Sequence, residues 1–182
     1  MDTRCDASLP TNCAEVMSPS SPNGIYKVYD EHGDPFHVYC LQDTQGGPAW
    51  TLVQRRQDNS INFYRNWASY KQGFGNLNGE FWLGLQHIHE MTANTNQELW
   101  IQMKDFEQNT RSANYSHFVL DDEQKYYEIS VLGKFTGDAG DSLRPHYQQP
   151  FVTKDMNTPN KNGTDCAKLF LGGWWYANCH ER

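Results

Sequence analysis

The chain has 182 residues, enough for one medium-sized domain that buries a real core. Its formal net charge of −7 is mild, its 22 acidic residues form no long run and no basic patch appears, which excludes nucleic-acid binding and a polybasic membrane anchor. Mean hydropathy is −0.81 although 14% of residues are aromatic, so the core is expected to rest on Trp, Tyr and Phe rather than on long aliphatic helices.

Residues 1–12 carry Pro10 and no periodicity, and read as a linker remnant. Ile25, Tyr26, Val28 and Tyr29 then form a strand-like run, and Phe36, Val38 and Cys40 alternate on a second. Glu31 to Pro35 between them is turn chemistry, so a hairpin is predicted. Trp50 to Arg55 follows as a strand after the Gly46-Gly47-Pro48 break. Asn66 to Lys71 reads as a helical turn ended by Gly73 and Gly75, and Gly79 to Leu85 as the opening of a second short helix leading to Ile88 and His89. Glu98–Met103, His117–Leu120 and Tyr126–Val131 are three further strands. Several strands and few helices, joined by polar turns, predict an antiparallel α+β domain. From Gly137 onward regular structure fades into Gly, Asp, Pro and Asn, and loops of that length in a compact domain are usually functional or held by ligands and disulfides.

Cysteines stand at positions 5, 13, 40, 166 and 179, with no C-x-x-C pair to support a zinc ribbon or a thioredoxin-type site. Proximity in the sequence suggests Cys13 with Cys40 and Cys166 with Cys179, leaving Cys5 as an interchain bridge or as an exposed free thiol. Two N-x-S/T sequons, at Asn114 and Asn162, join the cysteines in pointing to an oxidising, extracellular setting and a secreted protein. The first residues lack an apolar h-region and are not a signal peptide. The longest uncharged apolar-rich stretch, Leu169 to Cys179, is far shorter than the about 20 residues a bilayer requires, so no membrane insertion is expected.

Trp50-Thr51-Leu52-Val53-Gln54-Arg55-Arg56-Gln57-Asp58 resembles the fibrinogen-related domain. The likeness continues in order through Phe63-Tyr64-Arg65-Asn66-Trp67, Gly73-Phe74-Gly75, Gly79 to Leu85, Gly137 to Leu143, and the Cys-Ala…Gly-Gly-Trp-Trp-Tyr…Cys-His ending. It implies a fibrinogen C-terminal-like fold: an N-terminal subdomain over 13–49, a central twisted antiparallel sheet with short helices over 50–143, and a loop-rich subdomain over 144–182. The family runs on for a few dozen residues beyond its Cys-His, so this last subdomain is expected to be incomplete. The resemblance also implies the pairings Cys13–Cys40 and Cys166–Cys179.

Two sites follow from the resemblance. The family's calcium loop carries an Asp-x-Asp pair and then two backbone carbonyls. Here Thr158 and Asn160, or Asn157 on the other count, take the Asp positions, and Asn162 and Thr164 supply the carbonyls. A hard cation prefers charged carboxylates, so the loop is either a weak calcium site or a calcium-free loop held by its own turns. The lectin branch binds acetyl groups, with an aromatic cage for the methyl and backbone N–H groups beside the second cysteine for the carbonyl oxygen. Phe170, Asn178, Cys179 and His180 fall on that site, with a cis peptide expected before Cys179 and the remaining cage tyrosines expected beyond residue 182. Trp174, Trp175 and Tyr176 are expected to be packing.

No enzyme is predicted. His87 and His89 would share one face of a strand without a third ligand, no G-x-S-x-G elbow is present, and Asp138 and Asp141 suit a turn better than a hydrolytic pair. The resemblance implies a secreted pattern-recognition lectin for acetylated glycans on microbial surfaces, working as a homo-oligomer through Cys5 or an upstream region. The alternative is an adhesion or receptor-ligand module of the angiopoietin or tenascin kind, acting on a protein receptor.

Overall fold

The computed structural model describes residues 9–156 and 164–179. The chain folds as two compact units, one made of residues 1–61 and 74–83, the other of 62–73 and 84–182.

In the first unit, helix α1 (Cys13–Val16) starts at Asn12, whose side chain accepts the Glu15 N–H. Strands β1 (Gly24–Tyr29), β2 (Pro35–Leu41) and β3 (Trp50–Leu52) form an antiparallel sheet in that order. The predicted hairpin is present, in unbroken register from Gly24 opposite Cys40 to Tyr29 opposite Pro35. Val28 and Val38 are fully buried, and Cys13 bonds to Cys40 across 5.4 Å between Cα atoms. A second small sheet orders β4 (Gln54–Arg55), β6 (Phe81–Trp82) and β5 (Phe74–Gly75). Phe81 and Trp82 were expected at the start of a helix. They form the central strand instead, buried and paired on both sides, which satisfies their backbone groups and burial together.

In the second unit, α2 (Trp67–Gln72) is capped by Asn66, which accepts the Ser69 N–H at 3.0 Å, and it ends at Gly73. Helix α3 (Leu85–Ala93) starts only after Gly84, whose φ of +115° and close approach to Gln72 leave no room for a side chain. It places His87 and His89 on a helix rather than a strand, so residues two apart do not share a face. Strands β7 (Leu99–Lys104), β8 (Thr110–Tyr115) and β11 (Phe135–Gly137) form a sheet with β8 in the centre, and β9 (Phe118–Leu120) pairs with β10 (Ile129–Leu132). The strand expected from Tyr126 begins only at Ile129. Tyr126 and Tyr127 have φ of 54° and 48°, and the Tyr127 N–H turns back to the Asp122 carbonyl at 3.0 Å.

The core of this unit is aromatic, as composition predicts. Phe151 lies 4.8 Å from Trp175 and 5.0 Å from Tyr70 between ring centroids, and the buried Trp175 donates its indole N–H to the Tyr127 carbonyl at 2.7 Å. Beyond Gly137 regular structure is sparse: a 3₁₀ turn at Arg144–His146, an isolated bridge between Val152 and Trp174, and helix α4 (Cys166–Leu169).

Candidate ligand-binding site

Residues 164–179 form an arm pinned at several points within the second unit. Asp165 caps α4 by accepting the Lys168 N–H at 3.1 Å, and its carboxylate pairs with the Lys168 ammonium at 2.8 Å. Cys166 at the head of the helix is bonded to Cys179, with 5.1 Å between Cα atoms. Along the arm, the Gly173 N–H donates to the Tyr70 hydroxyl at 3.0 Å, and Trp174 and Val152 exchange backbone hydrogen bonds of 3.0 and 3.2 Å. The Trp175 carbonyl lies 2.7 Å from Nδ1 of the buried His146. Val152, Cys166, Ala167 and Tyr176 form the small apolar core beneath it.

Upon that core sits Phe170. It ends α4, donates its N–H to the Cys166 carbonyl at 2.9 Å, and stacks on Tyr176 with centroids 6.2 Å apart and planes inclined by 27°. Tyr176 is buried and anchored, its hydroxyl donating to the Gly172 carbonyl at 3.0 Å while burial pushes its pKa up to about 12. Phe170 itself stays 42% exposed, and its neighbours Leu169 and Leu171 are each 61% exposed. The result is an apolar platform held by a disulfide, an arrangement suited to a ligand with a methyl or other apolar end.

Of the site residues read from the sequence, Phe170, Asn178 and Cys179 lie on this arm; Asn178 is exposed and Cys179 half-buried. His180 lies outside the described residues, as do Asn157, Thr158, Asn160 and Asn162 of the candidate calcium loop and Cys5. Thr164 is exposed at the start of the arm. The Asn178–Cys179 peptide is trans, not cis, and Cys179 takes a φ of +60° instead. Trp175 and Tyr176 are buried packing, with Trp174 half-buried beside His146. Sequence reasoning missed Leu169 and Leu171 as part of the exposed platform; the signal was an uninterrupted apolar triplet that begins at the last residue of a short helix.

The candidate calcium loop is poor in charged donors. Asn157, Thr158, Asn160, Asn162 and Thr164 offer only neutral oxygens, and Lys161 stands among them. The adjacent carboxylate, Asp155, already accepts the Trp67 N–H at 3.0 Å and the Thr153 hydroxyl at 2.6 Å. Neutral oxygens alone hold a divalent cation weakly. Among the described residues no group of three His, Cys, Asp or Glu side chains is placed to hold a metal.

Asp138 and Asp141, expected in a turn, each hold hydrogen-bond donors. Asp138 accepts the Ser112 N–H at 2.8 Å and the Arg111 guanidinium at 2.9 Å, and Asp141 accepts the Tyr115 hydroxyl at 2.7 Å. His89 places Nδ1 2.8 Å from the Leu120 carbonyl. Asn114 lies within the central strand β8, half-buried, with its amide donating to Glu98 at 3.2 Å.

A family model for the C-terminal globular domain of fibrinogen beta and gamma chains matches residues 9–182. The chain belongs to this family. As a fibrinogen-like domain it is 42% identical over 180 residues to human Ficolin-3, which covers 98% of the chain and 59% of that relative. It is likewise 42% identical to Fibrinogen C domain-containing protein 1-A of Xenopus laevis, covering 96% of the chain and 39% of the relative. The chain therefore spans less than two thirds of the length of these relatives.

Among solved structures, the fibrinogen-like globe domain of human ANGPTL2 matches with a TM-score of 0.87 and 38% identity, covering 94% of the chain and 79% of that domain. Lamprey fibrin D-dimer complexed with the peptide ligand Gly-His-Arg-Pro-amide matches with a TM-score of 0.86 and 31% identity, covering 94% of the chain and 58% of that structure. The fold is thus the fibrinogen-like globe, with antiparallel sheets and few short helices. Fibrinogen-like domains are non-enzymatic binding modules. Its described disulfides suit an oxidising compartment, and no described helix is long and apolar enough to cross a membrane.

Proposed function

We propose that this fibrinogen-like domain is a secreted recognition lectin for acetylated glycans on microbial surfaces, serving innate immunity. The observation that carries the reading is Phe170, exposed yet fixed in place by the Cys166–Cys179 bond below and Tyr176 beneath its ring. A methyl group packs on such a ring. Binding is calcium-independent, because the loop at 157–164 lacks charged ligands. A covalent link through Cys5 supplies multivalency, and Asn162 is the glycosylation position, the Asn114 amide being engaged within β8.

Retention on an N-acetylated sugar matrix tests the reading, with and without chelator, for the parent chain and for Phe170→Ala. The expected result is retention of the parent in both buffers and loss of retention for the variant. Elution of the parent by chelator contradicts the calcium-independent part, and no retention of the parent contradicts the glycan reading.

A second reading, a receptor-ligand module that binds protein surfaces, draws on the breadth of the exposed triplet Leu169-Phe170-Leu171. Three adjacent apolar side chains suit the core of a protein contact. Loss of receptor-cell binding on Leu169→Ser and Leu171→Ser, with sugar retention absent throughout, is the outcome that favours it.

A further inference from the structure

Strand β7 forms one edge of its sheet: β8 pairs it on one side, and no described strand pairs it on the other. Natural edges are blunted by proline, bulges or charges within the strand. From Leu99 to Lys104 this edge has no proline, its register with β8 runs through six pairs without a bulge, and its single charge lies at its last residue. Trp100 is 39% exposed and Met103 47% exposed, and beyond them Phe106 projects wholly into solvent from the β7–β8 turn. The turn is rigid, because the Asp105 carboxylate holds the N–H groups of Glu107 and Asn109 at 2.9 and 2.8 Å. We propose that this edge pairs with the same edge of a second copy of the chain, as an antiparallel two-fold contact centred on Ile101.

Register and charge select that partner. The Asp105 N–H donates to the Asn109 carbonyl at 3.0 Å, so residue 105 directs its backbone inward to β8. Backbone direction alternates along a strand, so Gln102 and Lys104 direct theirs outward. A two-fold axis at Ile101 sets Gln102 against Trp100 of the second copy, and Lys104 against its Glu98. The same two contacts recur on the other side of the axis, as an isologous interface requires. Both charges of the 98–104 stretch are therefore neutralised across the contact, and opposite charges facing each other across an antiparallel ladder stabilise it. Shifting the pairing by two residues in either direction sets Glu98 or Lys104 against an uncharged residue, Phe106 or Asn96. The charge pattern thus favours one register and one partner, the chain itself. This contact is separate from any link through Cys5 and from the platform around Phe170.

Sedimentation equilibrium on the full chain carrying Cys5→Ser, which removes a covalent link, tests the contact. The expected species is a reversible dimer of twice the 21.1 kDa chain mass. Glu98→Lys alone and Lys104→Glu alone each face like charges across the axis, and each raises the dissociation constant by at least about tenfold. An equimolar mixture of the two variants restores the dimer, because every facing pair is then Lys with Glu. Gln102→Pro deletes an outward N–H, leaves the pairing with β8 in place, and gives a folded monomer by circular dichroism. A parent that stays monomeric at every concentration overturns the proposal. So does a dimer that survives Gln102→Pro, or a mixture that stays monomeric.

Discussion

The Glu80 carboxylate accepts the Ile61 N–H through Oε2 at 3.0 Å, and its other oxygen accepts the N–H groups of Gln57, Asp58 and Asn59 at 2.7 to 3.1 Å. The side chain is 1% exposed, so a single buried anion organises the whole turn between β4 and Ile61. These hydrogen bonds, led by those from Ile61 and Gln57, lower its pKa from 4.5 to about 2 against the opposing pull of burial.

Glu80→Gln therefore lowers the melting temperature by several degrees, because an amide turns an NH₂ toward donors that need an acceptor. The sign of the pH effect follows from the depressed pKa. The stabilisation is complete above pH 4.5 and is lost as pH falls toward about 2. Thermal melts between those values show a steeper acid loss for the parent than for the variant. Parallel curves would contradict the assignment.

A second anchor joins Tyr115 and Asp141. The buried Tyr115 hydroxyl donates to Asp141 at 2.7 Å and accepts the Leu143 N–H at 3.3 Å, while Arg144 braces Asp141 at 3.1 Å and donates to the Leu132 carbonyl at 2.7 Å. Burial, then the bond to Asp141, pushes the Tyr115 pKa from 10.0 up to about 12. Tyr115→Phe costs about 1–2 kcal/mol in denaturant unfolding at neutral pH. Because the folded pKa is raised, this contribution is present below pH 10 and is lost as pH rises toward about 12, so the gap between parent and variant narrows there. A gap that stays constant from pH 7 to 12 would refute it.

The hairpin of β1 and β2 was legible because its inward residues alternate cleanly, and α2 because Asn66 and Gly73 mark its two ends. Strand β8 was not. Its residues Thr110-Arg111-Ser112-Ala113-Asn114-Tyr115 bury only Ala113 and Tyr115, so the neighbours on both sides, rather than any apolar pattern, define it. Phe81 and Trp82 look the same to a periodicity argument whether they open a helix or centre a sheet. On the arm, the likeness to a family pointed to Phe170 and Cys179. The stacking of Phe170 on Tyr176 was invisible, since it needs the left-handed turn at Leu171, φ +54°, which no side chain there announces. Nor does composition show that Asp155 is engaged by Trp67, far away in sequence.

Tyr70 holds the arm of residues 164–179 from outside it. Its hydroxyl donates to the Phe63 carbonyl at 2.7 Å and accepts the Gly173 N–H at 3.0 Å. A Cβ on Gly173 would lie 2.7 Å from Phe151 and 2.8 Å from the Tyr70 ring, so the backbone there reaches the core only as glycine. Tyr70→Phe leaves two polar backbone groups without their partner and costs about 1–3 kcal/mol. Gly173→Ala forces the arm off the core by a different route. Both variants are expected to speed amide hydrogen exchange along 172–176 while the β7–β8 ladder keeps the parent's protection. Unchanged exchange along the arm would show that the hydroxyl does not anchor it.

The two disulfides differ in what they hold. Cys13–Cys40 closes 27 residues around the first sheet and Cys166–Cys179 closes 13 around the arm, and each loop closure contributes about 3 kcal/mol by chain entropy. Replacing Cys13 and Cys40 together by Ala is expected to lower global stability, seen as an earlier denaturant midpoint. Replacing Cys166 and Cys179 together acts first on the arm, because the small core of Val152, Ala167 and Tyr176 is left to hold it against the exposed Leu169-Phe170-Leu171 run. Limited proteolysis then cuts between residues 166 and 179 before any site in the sheets, and retention on an acetylated matrix is lost while the sheet signal in circular dichroism persists. Cleavage that begins elsewhere, or retention that survives the double replacement, would separate the disulfide from the shape of the platform.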